Sequence, residues 1–543
     1  MRLTFTLVSL CSVLLVLLLS YLWRPALWSL LIIVPLIIRG IADMMQTRHS
    51  LLRNYPVIGH ARWMMEKLRP FLRQYFFESD TDGTPINRMF RTIVYQRAKG
   101  NLDSNPYGTK LDTQQVGYEW LGHSIAAHHY DASAAQPRIQ VGGPQCTQPY
   151  QAAILNISAM SFGALSDNAI KALNKGASIG GFYHNTGEGS VSDHHRQHGG
   201  DLVWQIGTGY FGCRDAQGRF DAAAFSNVAT EPQIKMIEIK LSQGAKPGHG
   251  GILPADKNTA EIARIRLVEP ATQVNSPPGH SAFTTPIEMM QFIQQLRQLS
   301  GGKPVGFKLA IGRTSEFVAL CKAMLETGIY PDFITVDGGE GGTGAAPLEF
   351  SNSVGMPLRE ALAFVCDVLV GFNLKKHIRV IASGKVFTGI HIVKNLALGA
   401  DICNSARGMM LALGCVQSLI CNTNRCPTGV ATQNPALAAG LDISDKGQRV
   451  ARFQHETVKA AMEIISSAGL KHTNELNRSH IFRRISETEV RRFDEIYTNM
   501  LPGSLLDAGT PLKFRQALHE ASADSFMPKH YIAETEQGLK AVQ

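Results

Sequence analysis

Three cysteines lie within twelve residues of one another, in the stretch GCVQSLICNTNRCPTGVATQ that begins at Gly414. Cys415, Cys421 and Cys426 follow a C-x5-C-x4-C spacing, and Pro427 comes directly after the last of them. Zinc sites usually have C-x2-C pairs and a fourth ligand. Iron–sulfur clusters use thiolates in loops, often with a proline beside the last cysteine. The spacing therefore leaves two alternatives, an iron–sulfur cluster with three protein ligands and a set of uninvolved cysteines.

Two lysines lie in stretches where their ammonium groups are expected to meet an anion or a ligand. Lys308 lies in the apolar run VGFKLAI, which has the composition of a buried strand. Burying an ammonium group is costly unless it meets an anion; the alternative is a lysine at a solvent-exposed strand end. Lys246 follows Gln243 in KLSQGAKPGHGG, a stretch too rich in glycine for a strand or helix interior. A turn there would present an amide and an ammonium group to a ligand.

Small residues end two late strand-like runs, VIASGKVFTG and ICNSARG. Backbone N–H groups in such turns can approach an anion, and the loops after the last two strands of a barrel commonly bind a cofactor phosphate. Arg407 would add a charged donor to this site. The earlier run ITVDGGEGGTGAAP is rich in glycine but lacks the G-x-G-x-x-G dinucleotide pattern. Its bare backbone would let a flat ring lie against it.

Apolar strand-like runs alternate with helical patterns from about residue 150 onward. KPVGFKLAIG, DFITVDGG and IRVIASGK have the composition of strands, and IEMMQFIQQLRQL and SEFVALCKAMLETG have helical periodicity. This alternation predicts an α/β fold with a parallel sheet and crossover helices. A (β/α)8 barrel and a doubly wound sheet both place their ligands at the carboxyl ends of the strands. The C-terminal tail, including HETVKAAMEIISSAG and ETEVRRFDEIYTNML, is predicted to be helical.

The N-terminus carries two apolar runs. The first, from Thr4 to Trp23, has no charged residue and is about the ~20 residues needed to cross a bilayer. The second, ALWSLLIIVPLI, follows after Arg24 and Pro25, is shorter and is interrupted by Pro35, and a two-pass hairpin is the simplest topology for the pair. A signal peptide fits less well, because a second apolar run follows directly and no small-residue cleavage pattern precedes it.

Charge is concentrated near these runs. The net charge is +9, and residues 1–100 hold thirteen Lys and Arg against five Asp and Glu. Basic residues crowd after the second run, whereas Arg24 alone lies between the runs. The positive-inside rule therefore predicts a cell-membrane protein whose main domain is cytoplasmic. A basic surplus beside apolar segments fits an anionic membrane surface better than nucleic acid, and no nucleic-acid partner is predicted.

A possible surface helix follows in residues 56–77. Met64, Leu68, Phe71, Leu72 and Tyr75 recur at helical spacing with Arg and Lys between them. Such a pattern suits an amphipathic helix lying on a bilayer. It suits equally a helix packed on the main domain.

Six motifs then occur in order: NISAMSFGALS, HNTGEGS, KLSQGAKPGHGGILP, NSPPGH, DGGEGGTGAAP and the cysteine stretch. Together they resemble the FMN-binding synthase domain of the glutamate synthase family over about residues 150–435. The chain looks like a membrane-anchored, stand-alone member. The resemblance implies a (β/α)8 TIM barrel with FMN at its C-terminal face. The predicted regions are a transmembrane segment or hairpin at 1–45, a basic linker at 46–149, the barrel at 150–440 and a helical tail at 441–543.

The resemblance also implies residue roles. A [3Fe–4S] cluster would be held by Cys415, Cys421 and Cys426. Glu188, Lys246 and Arg266 would contact 2-oxoglutarate, and Lys308 would stabilise negative charge on the reduced flavin. The residues expected around FMN are Ser161, Gln243, Lys308, Gly341, Gly342, Gly384 and Arg407. In the family, reduced FMN delivers hydride to 2-iminoglutarate, which forms from ammonia and 2-oxoglutarate and yields glutamate.

Departures from the family pattern shape the expected partners. The family's N-terminal glutamine amidotransferase domain is replaced here by the apolar segment, so ammonia is expected from elsewhere. The family's C-terminal β-helix and an NAD(P)H-binding turn are also not found in the sequence. Electrons are expected from a ferredoxin, a separate reductase or a membrane quinone. Asn422 follows Cys421 where the family commonly has His, a change that would alter the cluster's potential.

Two other functions remain open at this level. One is a membrane-linked FMN amino-acid or imino-acid dehydrogenase with a different substrate. The other is a non-enzymatic membrane-tethered barrel whose cysteines bind zinc. Retention of Lys308, Gln243 and the glycine runs argues against the scaffold, because a scaffold has no need of a buried lysine.

Overall fold

The computed structural model describes residues 1–131, 136–497, 499–507, 510–529, 532–535 and 538–541. The chain forms two compact units, Met1–Arg88 and Met89–Gln543.

The first unit is helical and begins with two apolar helices. Arg2–Leu22 and Arg24–Met45 are long and apolar enough to cross a membrane, by length and composition. They pack closely, because a side chain at Gly40 would collide with the ring of Phe5. Pro35 lies within the second helix without ending it. The helical segments of this unit are Arg2–Leu22, Arg24–Ser29 (3-10), Leu30–Met45, Ser50–Asn54, His60–Leu72 and Arg73–Phe77 (a π-helical turn).

The second unit is built on a closed barrel of eight parallel strands. This confirms the predicted (β/α)8 TIM barrel and excludes the doubly wound sheet. Six of the strands are buried along their whole length, as the near-continuous apolar runs predicted. The strands are β1 (Leu155–Ile157), β2 (His184–Asn185), β3 (Leu202–Ile206), β4 (Ile234–Lys240), β5 (Val305–Leu309), β6 (Phe333–Asp337), β7 (Arg379–Ser383) and β8 (Ile402–Ser405).

Helices connect the strands, and many begin at a side-chain cap that the sequence supplies. Ser166 accepts a hydrogen bond from the backbone of its helix, and Thr285 forms a capping box with Glu288. Gly181 and Gly328 end two helices in the left-handed conformation. The helices of this unit are Asp167–Gly180, Asp193–Arg196, Ala222–Ala229, Ala260–Arg266, Pro286–Leu299, Thr314–Thr327, Leu348–Ser353, Leu358–Gly371, Gly389–Ala397, Arg407–Leu413, Pro435–Ala438, Ile443–Ser467, Phe493–Ile496 and Leu512–Glu520, preceded by Arg88–Lys99.

A hairpin closes the amino-terminal end of the barrel. Its strands, Arg138–Val141 and Tyr150–Ala153, pair antiparallel. Val141 and Ala152 are fully buried in a cluster with strand residues that include Phe333 and Ile402. Because this end is filled by apolar side chains, the opposite end is the one open to ligands.

The tail holds strands as well as the predicted helices. Ile443–Ser467 is a long helix. The later segment ETEVRRFDEIYTNML instead contains the strand Val490–Arg492 and the short helix Phe493–Ile496. That strand pairs with Ile481–Arg484, which pairs in turn with Glu119–Leu121 from the linker region. Pairing between such distant segments leaves no periodic signal in either one. Two further hairpins are Ile252–Leu253 with Val274–Asn275 and Ile532–Thr535 with Gly538–Ala541.

Candidate active site

One carboxylate and three cationic side chains meet at the carboxyl ends of the barrel strands. Glu188 follows β2, Lys240 ends β4, Lys246 lies in the turn after β4, and Arg266 ends the helix Ala260–Arg266. Lys240 Nζ lies 3.1 Å from Oε1 of Glu188. Lys246 and Arg266 also interact electrostatically with this carboxylate. The structure thus brings together the three residues that the resemblance assigned to substrate and adds Lys240, which the sequence analysis missed.

The charges in this group are withdrawn from water. Burial by itself would raise the pKa of Glu188, but the neighbouring cations Lys240, Arg266 and Lys246 outweigh it and lower that pKa. Burial lowers the pKa of Lys246, and the charge of Lys240 lowers it further. Burial lowers the pKa of Arg266 to about 10 despite Glu188. One carboxylate facing three cations leaves an excess of positive charge, which a ligand with two carboxylates would neutralise.

The guanidinium group of Arg266 is held by hydrogen bonds and by contact with an aromatic ring, and one of its nitrogens has no hydrogen-bond partner. Its Nη2 donates to the carbonyl oxygen of Phe162 at 3.0 Å and, at 3.4 Å, to Oγ of Ser161. The guanidinium carbon lies 5.2 Å from the ring centre of Phe211. Nε is buried and has no hydrogen-bond partner. A buried donor without a partner is costly, so Arg266 fits a site that a polar ligand completes.

Lys308 is buried and meets an anion, which rules out the solvent-exposed alternative. It is 6% exposed, and its Nζ lies 3.3 Å from Oδ2 of Asp337 at the end of β6. The same carboxylate oxygen accepts a hydrogen bond from the backbone N–H of Gly244 at 2.8 Å. Asp337 therefore ties Lys308 to the turn that carries Gln243 and Lys246.

The glycine run after β6 lies against this turn. Gln243 donates from Nε2 to Oγ1 of Thr343 at 3.2 Å. A Cβ on Gly341 would be 3.0 Å from the carbonyl oxygen of Gly338, and a Cβ on Gly342 would be 2.7 Å from Nε of Arg407. The bare backbone at Gly341 and Gly342 therefore lets neighbouring groups approach closely, as a flat ring would require.

Cationic groups gather at the carboxyl ends of β7 and β8. Gly384 has φ of +146°, a conformation that favours glycine. Arg407 donates from Nη2 to the carbonyl oxygen of Glu340 at 2.6 Å. Burial lowers the pKa of Arg407, and burial together with Arg407 lowers the pKa of Lys385. Two cations disfavoured by burial and mutual repulsion suit an anion such as a phosphate.

The three cysteines of the opening motif lie in one loop, and their environments differ. Burial alone would raise the pKa of Cys426, but hydrogen bonds from Thr428 and from the backbone N–H groups of Ala431, Thr428 and Val430 lower it. Burial raises the pKa of Cys415 to about 11, and burial and Cys426 raise the pKa of Cys421. These hydrogen bonds favour the thiolate form of Cys426, which is the form that ligates iron.

Lys257 is a buried cation beside this loop, and the sequence analysis missed it. It is 3% exposed, and its Nζ donates to the carbonyl oxygens of Cys421 (2.9 Å), Ala431 (3.1 Å) and Ala164 (3.2 Å). Burial lowers its pKa, and the neighbouring Cys421 and Cys426 raise it. Lys257 therefore joins the loop after β1 to the cysteine loop and places a positive charge near two of the thiols.

The donor set suits a cluster with thiolate ligands. Across the described ranges, no three or more His, Cys, Asp or Glu side chains are grouped as the ligands of one metal ion. The three thiolates of an iron–sulfur cluster would bind different iron atoms and need not converge on one point.

Comparison with known proteins shows the family to which the chain belongs. The model of the family described as "Conserved region in glutamate synthase" matches residues 134–471. The chain belongs to the glutamate synthase family. This confirms the resemblance and the prediction of a glutamate synthase-type oxidoreductase.

The relatives differ in sequence identity to this chain and in how much of their length it covers. It is 35% identical to the glutamate synthase large subunit-like protein YerD of Bacillus subtilis, over 84% of this chain and 94% of that protein. It is 33% identical to the archaeal glutamate synthase [NADPH] of Methanocaldococcus jannaschii, over 59% of this chain and 60% of that enzyme. It covers 21% of the glutamate synthase [NADPH] large chain of Azospirillum brasilense at 31% identity. The extent of the match therefore varies from nearly all of the relative's length to about a fifth of it.

Solved structures that resemble this glutamate synthase relative include mandelate oxidase. One such structure, with a difluorinated hydroxy acid, covers 69% of this chain and 87% of the oxidase at 15% identity, with a TM-score of 0.39.

His280, in the NSPPGH motif, forms a hydrogen bond with the backbone of Lys240. Its Nε2 lies 2.9 Å from the carbonyl oxygen of Lys240, and its Nδ1 lies 2.9 Å from the hydroxyl of Tyr210. A carbonyl oxygen only accepts, so Nε2 carries the proton and Nδ1 accepts from Tyr210. Burial lowers the pKa of His280 to about 4, which keeps the ring neutral at physiological pH. The motif was visible in the sequence, but its contact with Lys240 was not.

Proposed function

We propose that this chain catalyses the reductive amination of 2-oxoglutarate with ammonia to L-glutamate, using FMN and an iron–sulfur cluster. The reaction takes up two electrons and two protons and releases one water. The observation that supports it is the excess of positive charge around Glu188, where Lys240, Lys246 and Arg266 converge. Two carboxylates of a substrate would neutralise that excess and supply the partner that Nε of Arg266 lacks.

The charged residues of the site have different roles in this proposal. Lys246 and Arg266 would bind the carboxylates of 2-oxoglutarate, and Lys240 would hold Glu188 in its ionised form. Because the cations lower its pKa, Glu188 is a poor proton donor at neutral pH. Its carboxylate would instead accept a hydrogen bond from ammonia or from the nitrogen of 2-iminoglutarate. This would orient the nitrogen and the substrate carbon toward the cofactor.

FMN fits the neighbouring part of the barrel mouth. Arg407, Lys385 and the glycine turn at Gly384 would hold its phosphate, and Gly342 lets Arg407 lie close to the glycine run. Lys308 would lie near the ring, with Ser161 and Gln243 as hydrogen-bonding neighbours. When bound, FMN would supply the hydride that reduces 2-iminoglutarate.

A [3Fe–4S] cluster on Cys415, Cys421 and Cys426 would pass electrons one at a time between a donor and the flavin. Cys426 supports this through its stabilised thiolate, and Lys257 adds a positive charge beside the loop. The relatives named for NADPH do not fix the donor for this chain. We propose an external donor, a ferredoxin, a reductase subunit or a membrane quinone.

The apolar helices Arg2–Leu22 and Arg24–Met45 would anchor the enzyme in the cell membrane with the barrel in the cytoplasm. Large apolar side chains such as Leu3, Leu18 and Ile32 are exposed along them, at 73%, 70% and 68%. A lipid environment would cover these side chains. The crowd of arginines after the second helix agrees with a cytoplasmic C-terminal side.

The test is anaerobic purification of the full chain from membranes. An absorption spectrum and EPR would report flavin and cluster, and a reduced dye would serve as electron donor. Ammonia-dependent oxidation of the dye in the presence of 2-oxoglutarate, with glutamate as product, is expected. Flavin and cluster without this turnover would favour an amino-acid or imino-acid dehydrogenase with another substrate. A colourless protein that contains zinc would favour the scaffold.

A further inference from the structure

Residues His60–Phe77 form a helix whose apolar face is left uncovered. The segment is an α-helix to Leu72, which continues as a π-helical turn, Arg73–Phe77. No residue in either part is buried. Pro70 lies in the helix without ending it, so the apolar residues keep α-helical spacing as far as Leu72.

Most of the apolar residues fall on one side of this helix, and Trp63 and Phe77 lie outside that side. Residues three and four apart lie on the same face, which brings their side chains into one stripe. Every large apolar side chain of the stripe is more than a third exposed: Met64, Met65, Leu68, Phe71, Leu72, Tyr75 and Phe76. In water, a contiguous apolar surface of this kind is unfavourable, and it marks an interaction site.

Basic residues border the stripe. Arg62, Arg69 and Arg73 lie along one edge of the apolar face, and Lys67 lies along the other. Glu66 is the single acidic residue of the segment. Long basic side chains can keep their charge in water while their stems lie along an apolar surface. A face of this kind, apolar in the middle and basic at both edges, matches a bilayer surface with anionic headgroups.

We propose that this helix, defined here as the surface helix His60–Phe77, lies on an anionic membrane with its apolar face between the lipid headgroups. The proposal rests on the membrane anchoring proposed above, because the segment begins shortly after the helix Arg24–Met45 and is continuous with that contact. It adds a second membrane contact parallel to the bilayer. The sequence left a helix packed on the main domain as an equal alternative, and the cross-linking experiment below distinguishes the two.

The test uses the full chain in nanodiscs that contain phosphatidylglycerol and phosphatidylcholine. A photo-crosslinking amino acid is placed at Phe71 or Phe76 on the apolar face, and at Glu66 on the opposite face as the matched control. The nanodisc proteins are irradiated, and the cross-linked products are identified by mass spectrometry. We expect lipid adducts at Phe71 and Phe76 at several-fold higher yield than at Glu66. The adduct yield should fall in high salt or when phosphatidylcholine is the only lipid.

Cross-links from Phe71 or Phe76 to another protein segment would overturn the proposal, as would equal lipid adducts at all three positions or none at any. Carbonate extraction of the same full chain from membranes tests the anchor separately. If the chain is extracted, the proposed anchoring fails. If it stays in the membrane and the apolar face gives no lipid adducts, the surface-helix proposal alone fails.

Discussion

The ammonium nitrogen of Lys240, at the end of β4, lies 3.1 Å from a carboxylate oxygen of Glu188, which follows β2. The side chains are 11% and 17% exposed, so this pair is partly shielded from solvent and from salt. Glu188 is the negatively charged group of this site, and the side chains of Lys240, Lys246 and Arg266 around it are positively charged.

Lys240→Met is expected to raise the KM for 2-oxoglutarate by about 10- to 100-fold, because the site loses the charged hydrogen bond that holds Glu188, and such a bond contributes about 1.5–3 kcal/mol. It removes one cation from the substrate site and leaves Glu188 less well paired. Steady-state kinetics with saturating ammonia and a reduced dye measure it. Lys235→Met, on the same strand but 36% exposed beside Asp201, is the matched control and should leave KM unchanged. An equal effect of both variants would mean that Lys240 acts through the strand rather than the substrate.

Lys246 should make the binding of 2-oxoglutarate depend on pH. Burial lowers its pKa from the ordinary value of 10.5. A cation with a lowered pKa loses its charge earlier as the pH rises, so 2-oxoglutarate binding should weaken on the alkaline side. Lys246→Arg should move this weakening to higher pH, because a guanidinium keeps its proton. Titrating 2-oxoglutarate into the flavin-bound protein and following the flavin spectrum measures binding without ammonia. An unchanged alkaline limb in Lys246→Arg would assign it to another group.

Lys257→Met should lower the cluster content and leave the FMN content unchanged. The variant removes three hydrogen bonds to backbone carbonyls and the positive charge beside Cys421 and Cys426. Iron and acid-labile sulfide per flavin, with EPR of the anaerobically purified protein, measure the loss. Arg425→Gln changes an exposed cation of the same loop and should keep the cluster. A full complement of iron in Lys257→Met would show that the loop holds its ligands without this lysine.

Arg297 and Asp332 form a buried ion pair below the active site. Their charged atoms lie 3.0 Å apart, and their side chains are 2% and 1% exposed. Asp332 also accepts hydrogen bonds from the backbone N–H groups of Val305 and Gly143. Arg297→Met is expected to cost ~3–5 kcal/mol of stability, because it leaves a buried carboxylate without its cation.

Thermal unfolding of the purified protein, followed by circular dichroism, should show a lower apparent Tm for Arg297→Met. Arg219→Met breaks a surface pair with Asp215 in which the arginine is 70% exposed. Such a pair contributes about 0–1 kcal/mol, so this variant should melt close to the unchanged protein. A similar loss in both variants would contradict the special role of the buried pair.

Much of the candidate site could be read from short stretches of sequence. The glycine turns, the cysteine loop and the basic residues Lys246 and Arg407 lie in local motifs, and alternating strands and helices place such motifs at one end of a barrel. The apolar N-terminal runs likewise predicted two helices long enough to cross a bilayer. These features depend on composition and on periods of two or 3.6 residues, which a single chain displays directly.

Other relationships were decided by the tertiary structure alone. Asp337 as the anion beside Lys308, Lys240 beside Glu188 and Lys257 beneath the cysteine loop join residues that come from different strands and turns. The antiparallel sheet between Glu119–Leu121 and the tail has the same character. No local period records which distant residues will meet, because barrel closure and packing fix those distances. The sequence therefore determined which chemical groups the protein has, and only the folded barrel determined which charges face one another.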